Sequence, residues 1–225
     1  PRPAFDVVLQ AEAGFLYMTG TPGQPPVKMP VALIDILAAH QLKEAILVAL
    51  LHRYRTGQGS FVSTSLLDAA VAALANQATN WLMEGHIPQP MGTQHPNIAP
   101  YGDIFEAKDG KPLVIAAGTQ ALFECPGECL GLPELPHYQR FSDNKSRVAH
   151  RGALCELLRP RFLDQGRAAW IARLGAAAVP VGSIRNMKEV FQSPRAKRLI
   201  LSNPLPDGRI ARRVATAAFE WKPSK

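Results

Sequence analysis

Residues 30–59 read PVALIDILAAHQLKEAILVALLHRYRTGQG, and most of the predicted architecture follows from them. From Ile34 to Tyr54, apolar residues recur at the three-to-four-residue spacing of an α-helix. The sequence Thr-Gly-Gln-Gly follows at residues 56–59, and glycines of this kind end helices and begin turns. The pattern therefore predicts one long, largely buried helix.

A second helix is predicted directly downstream, from Leu66 to about Glu84. Ser65 is positioned to cap it, and Asp68 lies in the first turn, where a negative charge is favourable. Residues 60–65 mix polar and apolar side chains and are rich in residues that favour β-strands, which predicts a short strand. Because the second helix is alanine-rich and carries only two charged residues, we expect it to be buried, in part against another subunit.

The rest of the chain predicts a smaller mixed region. Residues 86–100 are rich in proline and lack periodicity, which predicts a linker. The flanks of Lys-Asp-Gly at 108–110 read as the two strands of a hairpin, at 101–106 and 111–115. Further elements are predicted as helices at 120–130, 145–162, 167–175 and 187–192, an extended piece at 179–184, and a hairpin within 199–221. The mixture predicts the α/β class.

Composition narrows the classes of function. The 225 residues are 47% hydrophobic and carry a net charge of +7, which suits an anionic partner such as a phosphorylated small molecule. The basic residues lack interleaved aromatics, so nucleic-acid binding is not expected. The three cysteines argue against a disulfide framework, and no metal site is predicted. No apolar run could span a bilayer and no signal-peptide pattern is present, so a cytoplasmic location is expected.

Several motifs, taken in order, resemble those of one enzyme family. They lie at residues 30–35, 51–59, 65–68, 91–101 and 179–182. Together they look like the central and C-terminal part of a family III CoA-transferase, of the formyl-CoA transferase and carnitine CoA-transferase (CaiB/BaiF-like) type. The resemblance implies an α/β fold that combines part of a large Rossmann-like domain with a small α+β domain, in an interlocked homodimer.

The resemblance also implies a layout and a set of small-molecule partners. Residues 1–90 are expected to belong to the large CoA-binding domain, 91–190 to form the small domain, and 191–225 to return towards the large domain. In the family, an N-terminal Rossmann-like half supplies most contacts to the CoA nucleotide, and it would lie outside this sequence. No permanently bound cofactor is expected: coenzyme A is a co-substrate, exchanged between an acyl-CoA and a small carboxylic acid.

By the same resemblance, Asp35 is the nucleophile that carries CoA as an aspartyl thioester. The residues fit this role, because the positive end of a helix favours a carboxylate and apolar neighbours exclude water. Taken without the resemblance, Asp35 has a simpler role as a helix N-cap.

Two further segments are candidate parts of the site. The loop at 116–120 falls where relatives have a glycine-rich loop, so Gly118 is expected to donate a backbone N–H to the oxyanion. Its neighbours Ala117, Thr119 and Gln120 are expected to contact substrate, although an ordinary strand-to-helix turn capped by Thr119 fits the loop as well. His95 and Asn97 are candidate ligands of the acyl carboxylate, or residues that only stabilise a turn.

Two alternative functions stay open. An α-methylacyl-CoA racemase keeps an aspartate at the position of Asp35 but also needs a histidine directly before an upstream aspartate. Here that dipeptide is Phe5-Asp6, and phenylalanine cannot carry a proton, which favours the transferase. The other alternative is a non-catalytic CoA-transferase-like remnant or binding domain. The substrates that the resemblance favours are dicarboxylates, such as succinyl-CoA with a glutarate-like acceptor.

Overall fold

The computed structural model describes residues 3–222, apart from the side chain of Pro126. The α-helices are α1 (Asp6–Glu12), α2 (Phe15–Met18), α3 (Leu33–Thr56), α4 (Leu66–Ala72), α5 (Ala75–Glu84), α6 (Gln120–Cys129), α7 (Asn144–Ala149), α8 (Arg151–Phe162), α9 (Arg167–Ala176), α10 (Met187–Gln192) and α11 (Pro194–Lys197). The strands are β1 (Tyr101–Glu106), β2 (Pro112–Ala116), β3 (Val181–Ser183), β4 (Ile200–Pro204) and β5 (Ile210–Val214). This mixture confirms the predicted α/β class.

The chain forms two compact units. The first contains the residues up to Asp103 together with Asn144–Arg151, and the second contains Ile104–Asp143 and the residues from Gly152 onward. The layout predicted from the family resemblance, with boundaries after residues 90 and 190, stays a prediction.

The long helix predicted in the first unit is α3, which runs for 24 residues. It ends at Gly57, whose φ of 74° is a conformation that glycine adopts without steric cost. Its N-terminal turns pack against α1 and α4 through a small cluster of Leu9, Ala13, Ile34 and Ala70. Within α3 only Ile34 and Ala38 are buried, so the prediction of a largely buried helix is wrong for the single chain.

The second predicted helix is divided. α4 ends at Ala72 and α5 begins at Ala75, whose positive φ of 49° interrupts the right-handed helix. The predicted cap is confirmed, because the backbone N–H of Asp68 donates to Ser65 Oγ at 3.0 Å. Residues 60–65 have no regular secondary structure, so the predicted strand is wrong. A strand needs a partner strand, and the described residues form no ladder with this segment.

The second unit is built on a three-stranded sheet of order β1-β2-β3. The predicted hairpin is confirmed: β1 and β2 are neighbours, and Gly110 takes a φ of 68° in the turn between them. β2 pairs antiparallel with β3, with Val114 opposite Gly182. The core beneath the sheet includes a stack of Phe105 on Phe162, and the Trp170 indole donates to the Phe162 carbonyl at 2.8 Å.

The remaining predicted elements are present, with one division and several additions. The helix predicted at 145–162 is divided at His150 into α7 and α8. The tail forms the predicted hairpin, in which β4 and β5 pair antiparallel with Ser202 opposite Arg212. α1, α2, α11 and two 3-10 turns, Leu135–His137 and Gln139–Phe141, were not predicted. None of the described helices is long and apolar enough to cross a membrane.

Candidate active site

Asp35 lies in the first turn of α3 with its side chain exposed. It is three residues past the N-cap, Ala32, so the alternative role as an N-cap is wrong. Among the described residues, no group donates a hydrogen bond to its carboxylate or forms an ion pair with it. A partial positive charge at the helix N-terminus favours an anion at this position. The carboxylate of Asp35 is therefore accessible to solvent and, among the described residues, has no hydrogen-bond or ion-pair partner.

Asp68 occupies the same position in α4 and behaves differently. It too is three residues past its N-cap, Ser65, but the Ser65 hydroxyl donates to its carboxylate at 2.7 Å. The two residues form a closed cap that satisfies the helix end locally. α3 has alanine at the N-cap and cannot form such a pair, which leaves the Asp35 carboxylate outside any local cap.

The N-terminus of α3 is capped from α1 instead. Asp6 Oδ1 accepts the backbone N–H of Ile34 at 2.7 Å, and Asp6 Oδ2 accepts the Gln10 Nε2–H at 2.6 Å. Gln10 is fully buried, and its Oε1 accepts the Met29 N–H at 2.9 Å. The segment that leads into α3 is thus tied to α1 at two points.

The loop at 116–120 lies in the second unit, between β2 and α6. Thr119 caps α6, because its Oγ1 accepts the Leu122 N–H at 3.2 Å. Ala117 is fully buried, backbone included, so none of its atoms is accessible to a ligand in the chain. Gln120 is exposed, and its Nε2–H donates to the Glu124 carboxylate at 3.2 Å. The turn capped by Thr119 is therefore present, and an additional role of Gly118 in catalysis stays a prediction.

His95 and Asn97 lie in the first unit, in a loop that precedes β1. The Asn97 backbone N–H donates to His95 Nδ1 at 3.1 Å, and the imidazole packs edge-on against Tyr101 with ring centroids 5.2 Å apart. Burial of the ring, and next the positive charge of Arg151, hold the pKa of His95 below its ordinary value of 6.5. His95 is thus neutral near pH 7, with the proton on Nε2 because Nδ1 accepts a hydrogen bond.

A polar clamp fixes this loop. Arg151, which is nearly buried, forms an ion pair with Asp103 at 3.0 Å and also donates to the His95 and Ile98 carbonyls. One turn earlier, the buried Arg147 donates to the Ala99 carbonyl at 2.9 Å. Because each charge is paired or hydrogen-bonded, the clamp compensates for their burial.

The candidate residues are divided between the two units. Asp35, His95 and Asn97 belong to the first unit, and Ala117, Gly118, Thr119 and Gln120 belong to the second. Within the described part of the chain, no three His, Cys, Asp or Glu side chains are grouped so as to hold a metal ion.

A family model described as CoA-transferase family III matches residues 1–225. The chain belongs to CoA-transferase family III. This confirms the resemblance inferred from the sequence motifs.

Several curated CoA-transferases are similar along most of the chain. Succinate–glutarate CoA-transferase of Agrobacterium fabrum is 33% identical over 94% of the chain and 53% of the relative. The human succinyl-CoA:glutarate CoA-transferase is 34% identical, over 86% of the chain and 44% of the relative. Acetyl-CoA:oxalate CoA-transferase of Acetobacter aceti is 34% identical, over 86% and 49%. The chain therefore spans about half the length of the curated relatives it matches.

Crystal structures of related proteins share the fold. A CaiB/BaiF family protein from Brucella suis is 37% identical, with a TM-score of 0.71 over 93% of this chain and 55% of that one. A protein from Mycobacterium tuberculosis is 28% identical, with a TM-score of 0.80 over 97% of this chain and 59% of the other.

Two polar networks were not predicted from the sequence: the cap of α3 by Asp6 and Gln10, and the clamp by Arg147 and Arg151. A signal was present in each case. Asp6 and Gln10 are four residues apart in an otherwise apolar run, and Arg147 and Arg151 are four residues apart in the segment predicted as one helix. Side chains four residues apart lie on the same helix face, so two polar side chains at this spacing indicate that this face contacts polar groups elsewhere in the chain.

Proposed function

We propose that the chain is part of a CoA-transferase that moves CoA from an acyl-CoA donor to a carboxylic acid acceptor, with Asp35 as the nucleophile. The observation that carries the proposal is the exposed carboxylate of Asp35, uncommitted among the described residues, in the first turn of α3. If Asp35 had a structural role, we would expect its carboxylate to have a hydrogen-bond partner, as the carboxylate of Asp68 has in Ser65. Membership of a family of CoA-transferases supplies the chemistry that a free carboxylate can perform.

The reaction needs a carboxylate and no external source of energy. Asp35 attacks the thioester carbonyl of the donor, the C–S bond breaks, and a mixed anhydride and the CoA thiolate result. The thiolate attacks the aspartyl carbonyl of the anhydride, which releases the donor acid and leaves CoA bound to Asp35 as a thioester. The carboxylate of the acceptor acid repeats the two steps in reverse order. It departs as the new acyl-CoA, and the Asp35 carboxylate is regenerated.

The surroundings of Asp35 suit both the ion and the intermediate. The end of α3 carries a partial positive charge, which stabilises the resting carboxylate. The apolar side chains of Val31 and Ile36 flank it and are exposed in the chain. A bound acyl-CoA covering them would exclude water, which would otherwise hydrolyse the anhydride.

The loop at 116–120 is proposed to complete the site. Gly118 would donate its backbone N–H to the oxyanion that forms at the attacked carbonyl, and such a donor must lie about 3 Å from that oxygen. Ala117, Thr119 and Gln120 would contact the substrate from the same loop.

His95 and Asn97 are proposed to bind the free carboxylate of a dicarboxylic acid. A neutral imidazole with its proton on Nε2 is a hydrogen-bond donor at neutral pH. The proposed substrates are therefore small dicarboxylates, with succinyl-CoA as the donor. This choice is supported by relatives named for succinate, glutarate and oxalate.

The proposal extends to the assembly. A large CoA-binding domain would include residues 1–90, a small domain would include 91–190, and residues 191–225 would return to the large domain. The active species would be a cytoplasmic homodimer that also contains a CoA-nucleotide-binding half, with CoA present as a co-substrate and no permanent cofactor.

Mass spectrometry tests the function on the complete homodimer, including the CoA-nucleotide-binding half, incubated with succinyl-CoA. A CoA adduct on Asp35, converted by hydroxylamine to a hydroxamate at the same residue, is the expected result. Asp35→Asn should abolish the adduct, and Glu44→Gln should not, because Glu44 is an exposed carboxylate farther along the same helix. An adduct on another residue, or none with a panel of acyl-CoAs, would favour the non-catalytic alternative.

A further inference from the structure

The first turn of α3 depends on a residue far away in sequence. α3 has no side-chain cap of its own, since its N-cap is Ala32. The Ile34 N–H is bound instead by Asp6, which lies 28 residues earlier at the start of α1. Backbone donors at a helix N-terminus require such a partner when water does not reach them.

Asp6 is held in place by a fully buried side chain. Gln10 donates to Asp6 through Nε2 at 2.6 Å and accepts the Met29 N–H through Oε1 at 2.9 Å. Both ends of the Gln10 amide are therefore assigned, and the amide cannot flip without losing both bonds. A relay of hydrogen bonds runs from Met29 through Gln10 and Asp6 to Ile34, and it binds the backbone on either side of the start of α3.

We propose that Asp6 is a positioning residue for the reaction: by capping α3 from outside, it fixes the first turn and leaves the Asp35 carboxylate free to attack. This inference rests on the proposed function of Asp35. The backbone N–H that Asp6 accepts is that of Ile34, the residue immediately before Asp35. In α4 the cap residue also occupies the carboxylate at the third helical position, because the Ser65 hydroxyl donates to Asp68. In α3 the cap is Asp6, which accepts the Ile34 N–H and donates no hydrogen bond to Asp35.

The placement of the carboxylate matters because attack on a thioester requires a narrow geometry. Reacting atoms must approach to about 3–3.5 Å with correct alignment, and a displacement of about 1 Å can slow a reaction about 100-fold. Asp6→Asn keeps an oxygen for the Ile34 N–H but turns an amide N–H towards the Gln10 Nε2–H, so two donors face each other. The variant should loosen the first turn and slow formation of the CoA adduct on Asp35 by up to about 100-fold.

A double variant tests the relay directly. In Asp6→Asn/Gln10→Glu, the new amide at position 6 can donate to the new carboxylate at position 10, which still accepts the Met29 N–H. The hydrogen bonds from position 6 to position 10 and from the Met29 N–H are restored with one negative charge in the pair. Only the long contact of Gln10 Nε2 with the Val31 carbonyl, at 3.5 Å, is lost, so most of the lost rate should return. Ser65→Ala is the matched control: it removes the cap of α4 and costs stability, but it leaves the start of α3 intact and should leave the rate unchanged.

The experiment measures two quantities on the complete homodimer, including the CoA-nucleotide-binding half. The first is the rate of adduct formation on Asp35 with succinyl-CoA. The second is labelling of Asp35 by a carbodiimide and an amine, relative to the exposed Glu44, which needs no acyl-CoA. Asp6→Asn should lower both readouts several-fold, because Asp35 then turns back towards the helix end, and the double variant should raise both again.

The outcomes separate this inference from the proposed function. No adduct in the unmodified chain would defeat the proposed function, while the labelling ratio would still decide the placement of Asp35. Unchanged labelling in Asp6→Asn would overturn the inference. A drop that the double variant does not reverse, or that Ser65→Ala reproduces, would also overturn it, since the effect would then be general loss of stability.

Discussion

The second unit encloses its own core, whereas the first unit leaves its largest element uncovered. In the second unit, large aromatic residues such as Phe105, Phe162 and Trp170 are buried and packed on one another. In the first unit, the buried cluster around α3 consists of Leu9, Ala13, Ile34 and Ala70 alone. The large apolar residues of α3 are mostly exposed: Ile36, Leu42, Ile46, Leu47, Val48, Leu50, Leu51 and Tyr54.

This contrast indicates different sources of stability. Burial of apolar area is the main favourable term in folding, so the second unit contains what it needs for an ordered core. A helix that is apolar on all sides is normally buried, and an exposed apolar surface of this size marks an interface. The first unit is therefore expected to be held by polar contacts at its loops and to bury α3 only in an assembly.

The largest expected effect is on the core of the second unit. Phe162→Ala removes a ring that stacks on Phe105, with centroids 4.4 Å apart, and packs edge-on against Trp170. The variant should lower the free energy of unfolding by about 3–5 kcal/mol. Leu47→Ala, on exposed α3, should change it by under about 0.5 kcal/mol. Urea unfolding, monitored by hydrogen exchange, measures the free energy of unfolding of both variants. Similar losses of stability in the two variants would contradict the contrast between the units.

The next largest effect is expected in the polar clamp of the first unit. Arg151→Met leaves the buried Asp103 carboxylate without its ion-pair partner and should cost about 3 kcal/mol. Arg209→Met is the matched control, because its pair with Asp207 is exposed and should contribute under about 1 kcal/mol. Hydrogen exchange of residues 94–103 should rise in the first variant and stay unchanged in the second. Equal effects would mean that the clamp does not stabilise the loop.

Surface variants of α3 should affect association with little effect on folding. Leu47 is 59% exposed in the chain, and burying a leucine side chain contributes about 1.5–3 kcal/mol. Leu47→Glu should therefore weaken self-association about 10–100-fold, and Gln41→Glu on the same helix should not. Light scattering across micromolar concentrations measures the mass. A monomer in the unmodified chain would contradict the inferred interface.

The sequence predicted local features well, because their causes are local. The bounds of α3, the cap of α4 by Ser65 and the hairpin between β1 and β2 each follow from a periodicity, a capping residue or a turn signal within a few positions. The break before Ala75 had no such signal: neither glycine nor proline occurs between α4 and α5, and alanine favours a continuous helix.

The site was predicted in part for the same reason. Asp35 could be identified from its motif, and its exposure at the start of α3 agrees with the proposed role. The cap provided by Asp6 could not be predicted, because it joins residues 28 positions apart and no local pattern encodes that pairing. The clamp of His95 by Arg151 is also non-local, with 56 positions between them.

A second cap supplied from outside its helix provides the smallest and most specific test. Asp109 Oδ1 accepts the Arg167 N–H at the start of α9, at 3.0 Å, where the N-cap Gly166 has no side chain to do so. This hydrogen bond is the main reason that the pKa of Asp109 lies below its ordinary value of 3.8. Asp109 and Asp6 thus perform the same structural task, but Asp109 is exposed and has no nucleophile beside it.

The sign of the pH dependence follows from the lowered pKa. The folded state binds a proton on Asp109 less readily than the unfolded state, so the contribution to stability is complete above the ordinary pKa and disappears as pH falls through the folded value. Asp109→Asn should therefore reduce the loss of stability on acidification below about pH 4, measured by urea unfolding at a series of pH values. Glu44→Gln is the control, because Glu44 has no hydrogen-bond or ion-pair partner among the described residues.

Asp109→Asn should leave the rate of CoA-adduct formation on Asp35 unchanged. A slower adduct would mean that any lost helix cap impairs the reaction, and the specific role inferred for Asp6 would fail.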